Sequence, residues 1–172
     1  MKIGVDVDGV LRDMMTPFIK NYNNDFNDAF VRSPDDVKDY DLKKSFPSYH
    51  NGLLYKYKDD LFKFAARYVD SKGFVDEVSR YGDVYIVSAQ PFGLEDLTLG
   101  WLRDNEVLYK GVCFLEDKSL LDVDYLVDDC PKNVYNASGV GLGVRRPWNQ
   151  DGGEDCFMSL DDVVSYIKEE RG

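Results

Sequence analysis

The chain has 172 residues, 44% hydrophobic and 14% aromatic, which supplies a core for one domain, or one domain with a modest insertion, and argues against wholesale disorder. Lys and Arg total 21 against 32 Asp and Glu, a net charge of −11. That balance argues against a surface tracking a long nucleic acid, yet it leaves room for a small anionic ligand beside a metal ion or a buried cation.

The first element is a β-like run over residues 2–7, rich in β-branched side chains and ending in acid. Residues two apart on a strand face the same side, so Asp6 and Asp8 are aimed together while Val7 turns away, and Gly9 then permits a sharp turn. Paired carboxylates at the C-terminal end of a parallel strand stand where open α/β sheets bind ligands, and they suit a hard divalent cation such as Mg²⁺. Held close, they titrate apart, one ionised as a nucleophile and the other more readily protonated as an acid. A calcium loop does not fit, because its third ligand would fall on Val10 and a strand precedes it. An ordinary acidic turn is the plain alternative.

Residues 13–81 break the strand rhythm. One helical stripe runs through Met15, Phe18, Ile19, Tyr22 and Phe26, and a second through Leu54, Tyr57, Leu61, Phe64, Ala65 and Tyr68. Turn-rich segments at Ser33-Pro34-Asp35-Asp36 and Phe46-Pro47-Ser48 lie between them. The pattern predicts a helical cap inserted between the first and second strands and covering the end of the sheet. The alternative is that these helices complete the outer layer.

The second strand, Val84-Tyr85-Ile86-Val87, runs into Ser88, and a helix follows with Leu94, Leu97, Trp101 and Leu102 on one face. The third, Val112-Cys113-Phe114-Leu115, precedes Lys118. The fourth, Tyr125-Leu126-Val127, runs into Asp128-Asp129, with Pro131 just beyond. Residues 140–144 suggest a fifth strand that its glycines weaken, and Ser159 and Asp162 form a capping box before Leu160, Val163, Val164 and Ile167. Strands alternating with helices imply an α/β fold, a Rossmann-like parallel sheet with helices on both faces. The domains are then a core of residues 1–12 and 82–172 and a cap of residues 13–81.

No stretch approaches the roughly twenty apolar residues of a membrane span, and the amino terminus reaches Asp6 too soon for a secretory signal. Cys113, Cys130 and Cys156, an odd number without CxxC spacing, read as reduced thiols of a cytoplasmic protein. His50, the single histidine, argues against a catalytic triad or a histidine-built metal cluster. Chemistry must therefore run on carboxylates, hydroxyls and lysines.

Acid pair, hydroxyl, lysine and acid pair each close a separate strand. That order resembles the haloacid dehalogenase superfamily of phosphohydrolases. Within it, Asp6-Val7-Asp8-Gly9-Val10-Leu11, Asp117-Lys118-Ser119 and Asp124-Tyr125-Leu126-Val127-Asp128-Asp129 are similar to the 5′(3′)-deoxyribonucleotidase family, as is Arg146-Pro147-Trp148-Asn149 after the last strand. The resemblance implies a Mg²⁺-dependent phosphomonoesterase acting on deoxyribonucleoside monophosphates through an aspartyl-phosphate. It implies that Asp6 attacks phosphorus. Asp8 would protonate the leaving alkoxide, then activate water, and offer its backbone carbonyl to the metal. Ser88 and the amide of Ala89 would hold phosphate oxygens, Lys118 would neutralise charge, and Asp128 and Asp129 would anchor Mg²⁺, the direct ligand of the two being left open. The partner implied is a small phosphorylated substrate, with neither long nucleic acid nor membrane, and a homodimer is left open.

The chain departs from the family at Met14, where an aromatic residue commonly lines the nucleoside pocket. Tyr55, Tyr57, Phe62 and Phe64 are candidates to supply stacking instead, their alternative being a place in the core. Three rival readings are a phosphatase of another small metabolite such as a sugar phosphate, a receiver-like signalling module and a silent phosphate-binding module. The order of the motifs and the early insertion disfavour the receiver.

Overall fold

A computed structural model of the chain describes residues 1–69, 71–152 and 157–170. The predicted thiol Cys156 lies outside them, while Cys113 and Cys130 are free. The apolar run that opens the chain forms β1 (Lys2–Val5), in which every residue after Lys2 is buried. A strand of that kind needs cover on both faces. It lies between β2 (Asp83–Ser88) and β4 (Tyr125–Asp128), parallel to both. With β3 (Gly111–Phe114), β5 (Val140–Val144) and β6 (Phe157–Met158) they form a six-stranded parallel sheet in the order β3-β2-β1-β4-β5-β6. All five runs read from the sequence pair, and a short sixth strand joins them.

One glycine of β5 has a packing reason. A Cβ on Gly141 would stand 2.0 Å from the Val134 carbonyl oxygen of α6 (Pro131–Tyr135), so only glycine lets the strand and that helix approach so closely. Phe74, Val75 and Val78 of α4 (Ser71–Val78), Trp101 and Leu102 of α5 (Glu95–Asp104), and Leu160, Val163 and Ile167 of α7 (Leu160–Glu169) complete one core with the sheet. The predicted capping box at Ser159 and Asp162 starts α7. Among the described residues, no helix is long and apolar enough to cross a membrane.

Between β1 and α4 lie α1 (Met15–Asp25), a 3₁₀ turn (Pro34–Asp36), α2 (Leu42–Ser45), α3 (Gly52–Lys56) and a π-turn (Asp59–Lys63). They enclose a second core around Phe18, Tyr22, Phe46, Leu61 and Phe62. The ring of Phe18 meets that of Phe46 edge-on at 5.0 Å, and Tyr22 meets it at 4.9 Å. Leu94 and Trp148 join this cluster from the sheet side. The first predicted stripe holds, with Met15, Phe18, Ile19 and Tyr22 buried.

The second stripe does not continue as one helix. The wider π-turn closes with Phe64 N–H on the Asp59 carbonyl and shifts the register, burying Phe62 and leaving Phe64 67% exposed. The chain enters and leaves this region side by side: Asp13 N–H donates to the Ala66 carbonyl, and Tyr68 N–H to that of Leu11.

Trp101 anchors this neck from below. It is buried against the sheet, and its Nε1–H donates to the Ala65 carbonyl at 2.7 Å. Replacing Trp101 with Ala removes a large core side chain and orphans that carbonyl, so stability should fall by about 3–5 kcal/mol. Urea unfolding measures the loss, and a change below ~1 kcal/mol would contradict the anchor.

Candidate active site

Sheet pairing stops at Val5, but Asp6 N–H still donates to the Val127 carbonyl, holding Asp6 at the C-terminal edge of the sheet. The chain then turns through Gly9, whose φ is +83°, with both Leu11 and Arg12 N–H returning to the Val7 carbonyl. Asp6 and Asp8 therefore lie in the turn beyond the strand, and they face different partners. Asp6 is buried behind the turn. Asp8 is held side-on by Arg12, Nε to Oδ1 at 2.7 Å and Nη2 to Oδ2 at 2.9 Å.

Lys118 opens a 3₁₀ turn after β3, with Asp117 as the capping residue. It is buried, and its Nζ lies 2.8 Å from Asp6 Oδ2 and 2.7 Å from Asp128 Oδ2. Burial alone would depress the Lys118 ammonium. The carboxylates of Asp6 and Asp128 outweigh it and hold the pKa above the usual lysine value. Asp128 Oδ1 accepts from the Cys130 amide, and both its oxygens accept from Asn133. Asp128 is fully engaged.

Asp129 is not. Its Oδ2 accepts from Trp148 Nε1 at 2.7 Å, whereas its Oδ1 is buried without a partner. A Cβ on Gly9 would stand 2.1 Å from Asp129 Oδ2, so the missing side chain makes the space in which this carboxylate sits. Asp6, Asp128 and Asp129 can bring one oxygen each within 4.8 Å of the others. Against their three negative charges stands the ammonium of Lys118, because Asp8 is matched by Arg12. Two buried charges are left over, and burial and the Asp128 charge push the Asp129 carboxyl up to about 7. Asp6 is likewise held well above the carboxylate range, by burial against the opposing pull of Lys118. An all-oxygen donor set with an orphaned oxygen and a surplus of two charges fits a hard divalent cation.

Beside Asp129 lies a cavity of about 290 Å³ whose lining includes Asp8, Gly9, Met14 and Asp129 on one side and Tyr40, Leu42 and Tyr49 of the helical insertion on the other, while Asp6, Lys118 and Asp128 stand outside that lining. Half of Tyr40 remains open to solvent, but its hydroxyl is sunk toward Asp129 and Cys130, which raises its pKa. Ser88 is buried as the last residue of β2, and Ala89 is exposed just after it. Both stand at the same sheet edge, outside the cavity lining. The aromatic candidates Tyr55, Tyr57, Phe62 and Phe64 also fall outside it. Tyr57 and Phe62 belong to the insertion's core, and the lining rings are Tyr40, Tyr49, Tyr68 and Trp148.

Sequence reasoning gave no role to Arg12, Arg146, Trp148 or Asn149. Asn149 Nδ2 donates to the carbonyls of Asp129 and Val144, fixing the acid-bearing loop to the end of β5. Arg146 Nε donates to the Gly9 carbonyl, and its guanidinium lies 3.9 Å from the Tyr68 ring centroid. The available signal was position: Arg146-Pro147-Trp148-Asn149 follows β5 at the edge that carries every other polar group of the site.

The family model described as 5′ nucleotidase, deoxy (pyrimidine), cytosolic type C protein matches residues 1–167. The 5′(3′)-deoxyribonucleotidase of Clostridium acetobutylicum is 24% identical over 141 residues, covering 80% of this chain and 77% of that protein. Among solved structures, a haloacid dehalogenase-like hydrolase of Streptococcus pneumoniae superposes with a TM-score of 0.66 at 14% identity, covering 96% of this chain and 97% of its own. The L-2-haloacid dehalogenase of Xanthobacter autotrophicus gives 0.60 at 10% identity, covering 97% and 98%. These likenesses establish the fold.

The pH dependence of the cation-free protein follows from the two raised carboxyls. Above pH 4 the Asp129 carboxyl keeps, in the folded protein, a proton that the unfolded chain has released, so stability falls as pH rises through about 7, and the raised Asp6 carboxyl acts in the same direction. The melting temperature in chelator should therefore drop between pH 5 and pH 8, and Mg²⁺ should restore it most at pH 8. A flat profile in chelator would contradict the uncompensated cluster.

Proposed function

Because the chain belongs to the cytosolic type C 5′-nucleotidase family, and is thus a phosphoric monoester hydrolase of haloacid dehalogenase fold, we propose that it is a Mg²⁺-dependent 5′(3′)-deoxyribonucleotidase. It would convert deoxyribonucleoside monophosphates in the cytoplasm to nucleosides and inorganic phosphate. The observation that carries this reading is the buried Lys118 ammonium between Asp6 and Asp128, beside an Asp129 oxygen with no partner.

In the first step an Asp6 carboxylate oxygen attacks phosphorus, the bond to the ester oxygen breaks, and Asp8, which takes up a proton from solvent within its Arg12 pairing beforehand, gives that proton to the leaving oxygen. In the second, water attacks the aspartyl-phosphate, its proton passes to Asp8, and the Asp6–phosphorus bond breaks to release phosphate. Splitting the reaction in this way replaces one very slow displacement by two easier ones. Lys118 offsets the repulsion between Asp6 and the incoming dianion, while Ser88 and the Ala89 amide hold phosphate oxygens. Mg²⁺ would be held by Asp6, Asp129 and the Asp8 backbone carbonyl, where it supplies charge stabilisation of the transferring group. Asp129 is favoured as the direct ligand because its Oδ1 is free, whereas Asp128 is committed to Lys118, Cys130 and Asn133.

Of the predicted cap of residues 13–81, the part closed off by the Asp13–Ala66 and Leu11–Tyr68 hydrogen bonds would act as the cap, whereas α4 packs on the sheet and would go with the core of residues 1–12 and 82–172. Met14 and the tyrosines of the cavity would receive the nucleoside, the phosphate lying toward Asp6.

Initial rates test the reading. Deoxynucleoside 5′- and 3′-monophosphates should be hydrolysed in Mg²⁺ and spared in chelator, and sugar phosphates should be poorer substrates. A marked preference for sugar phosphates would overturn the substrate assignment. Asp6→Asn should lower turnover by at least ~10³-fold with the melting temperature nearly unchanged, and wild-type activity in that variant would remove Asp6 from its role.

A further inference from the structure

Arg12 is fully buried, and every side of its guanidinium is used. Nε and Nη2 hold the two oxygens of Asp8, Nη1 donates to the Phe62 carbonyl at 2.7 Å, and Nη2 also donates to Thr98 Oγ1 at 3.0 Å. The rings of Phe62 and Trp101 lie 5.2 and 5.3 Å from its central carbon. Thr98 passes its own proton to Gln90, two residues beyond Ser88. A buried arginine with this many fixed partners has one rotamer, and its planar fork fixes the plane of the carboxylate it grips. Arg12 is the partner of the Asp8 side chain, which is 23% exposed and lines part of the cavity.

We propose that Arg12 is a positioning residue for proton transfer, its bidentate grip on Asp8 holding that carboxyl at the orientation from which it serves the leaving oxygen. The inference rests on the phosphatase reading above and deepens it. Arg12 does not touch substrate. It acts by denying Asp8 other rotamers, and it ties that orientation to the π-turn through Phe62 and to α5 through Thr98. General acid catalysis contributes typically 10²–10⁴-fold, and an ångström of misplacement forfeits about 10²-fold of a positioned group's effect. The contribution matters when the leaving oxygen is a poor one, such as the alkoxide of a deoxyribose. It matters little for 4-nitrophenolate, which departs without a proton.

The test compares these two leaving groups in Arg12→Lys, which keeps a buried cation but cannot grip both oxygens. Protein in excess of substrate is mixed with Mg²⁺ and either a deoxynucleoside monophosphate or 4-nitrophenyl phosphate, and formation of acid-stable phosphoprotein is followed by rapid quench. The nucleotide-to-aryl rate ratio should fall by about 10-fold or more relative to wild type. An unchanged ratio, whether both rates drop together or neither does, would overturn the proposal and leave Arg12 a structural residue. Should Arg12→Lys fail to fold, Thr98→Val removes only the lateral support and should lower the same ratio by about threefold, judged by the same criterion. Wild-type protein that releases no phosphate from either compound would instead sink the phosphatase reading itself.

Discussion

The organisation of the site depends on one ammonium among carboxylates in a place without water. Lys118 stands within hydrogen-bond reach of Asp6 and Asp128, acids that follow the first strand and close the fourth. Taking such groups out of water costs several kcal/mol per ion, and mutual attraction repays it only when geometry and further hydrogen bonds are in place. The Cys130 amide and Asn133 complete Asp128, and Trp148 partly completes Asp129. What stays uncompensated is the oxygen and the charge that a divalent cation would satisfy. The cluster is consequently a structure of incomplete balance, stable enough to form and electrically short of one ligand.

The parallel sheet is what makes that convergence possible. All of its strands end at one edge, so groups far apart in sequence arrive at one place without specific contacts having to steer them. This is also why much of the site was legible before the fold was known. Asp6, Ser88, Lys118 and Asp128 each follow an apolar run, and strand order does the rest. What escaped was held by tertiary contacts with no local signature. The part played by Arg12 exists only once Phe62, Thr98 and Trp101 close around it. Trp148 packs in the insertion's core, and its indole nitrogen also serves Asp129. The second stripe of the insertion was misjudged by a single wide turn, which periodicity at 3.6 residues cannot anticipate.

Behind the acids, the segment after β5 acts as a clamp. Asn149 fixes the Asp129 backbone to β5, Trp148 fixes its side chain, and Arg146 holds the Gly9 carbonyl while stacking on Tyr68. One short turn therefore joins the acid-bearing loop, the first turn of the chain and the end of the insertion. Placement of Asp129 relative to Asp6 is in this way set by a rigid scaffold and not by the carboxylates themselves, which repel one another.

The paired hydrogen bonds at Asp13–Ala66 and Leu11–Tyr68 bring both ends of the inserted region to adjacent points on the sheet domain. A chain excursion that leaves and returns through one doorway can change its length, its helices and its wall chemistry without disturbing the strands on either side. The cavity wall that the excursion supplies and the acids at the strand ends then lie on separate parts of the polypeptide, tied together where Arg12 meets the Phe62 carbonyl.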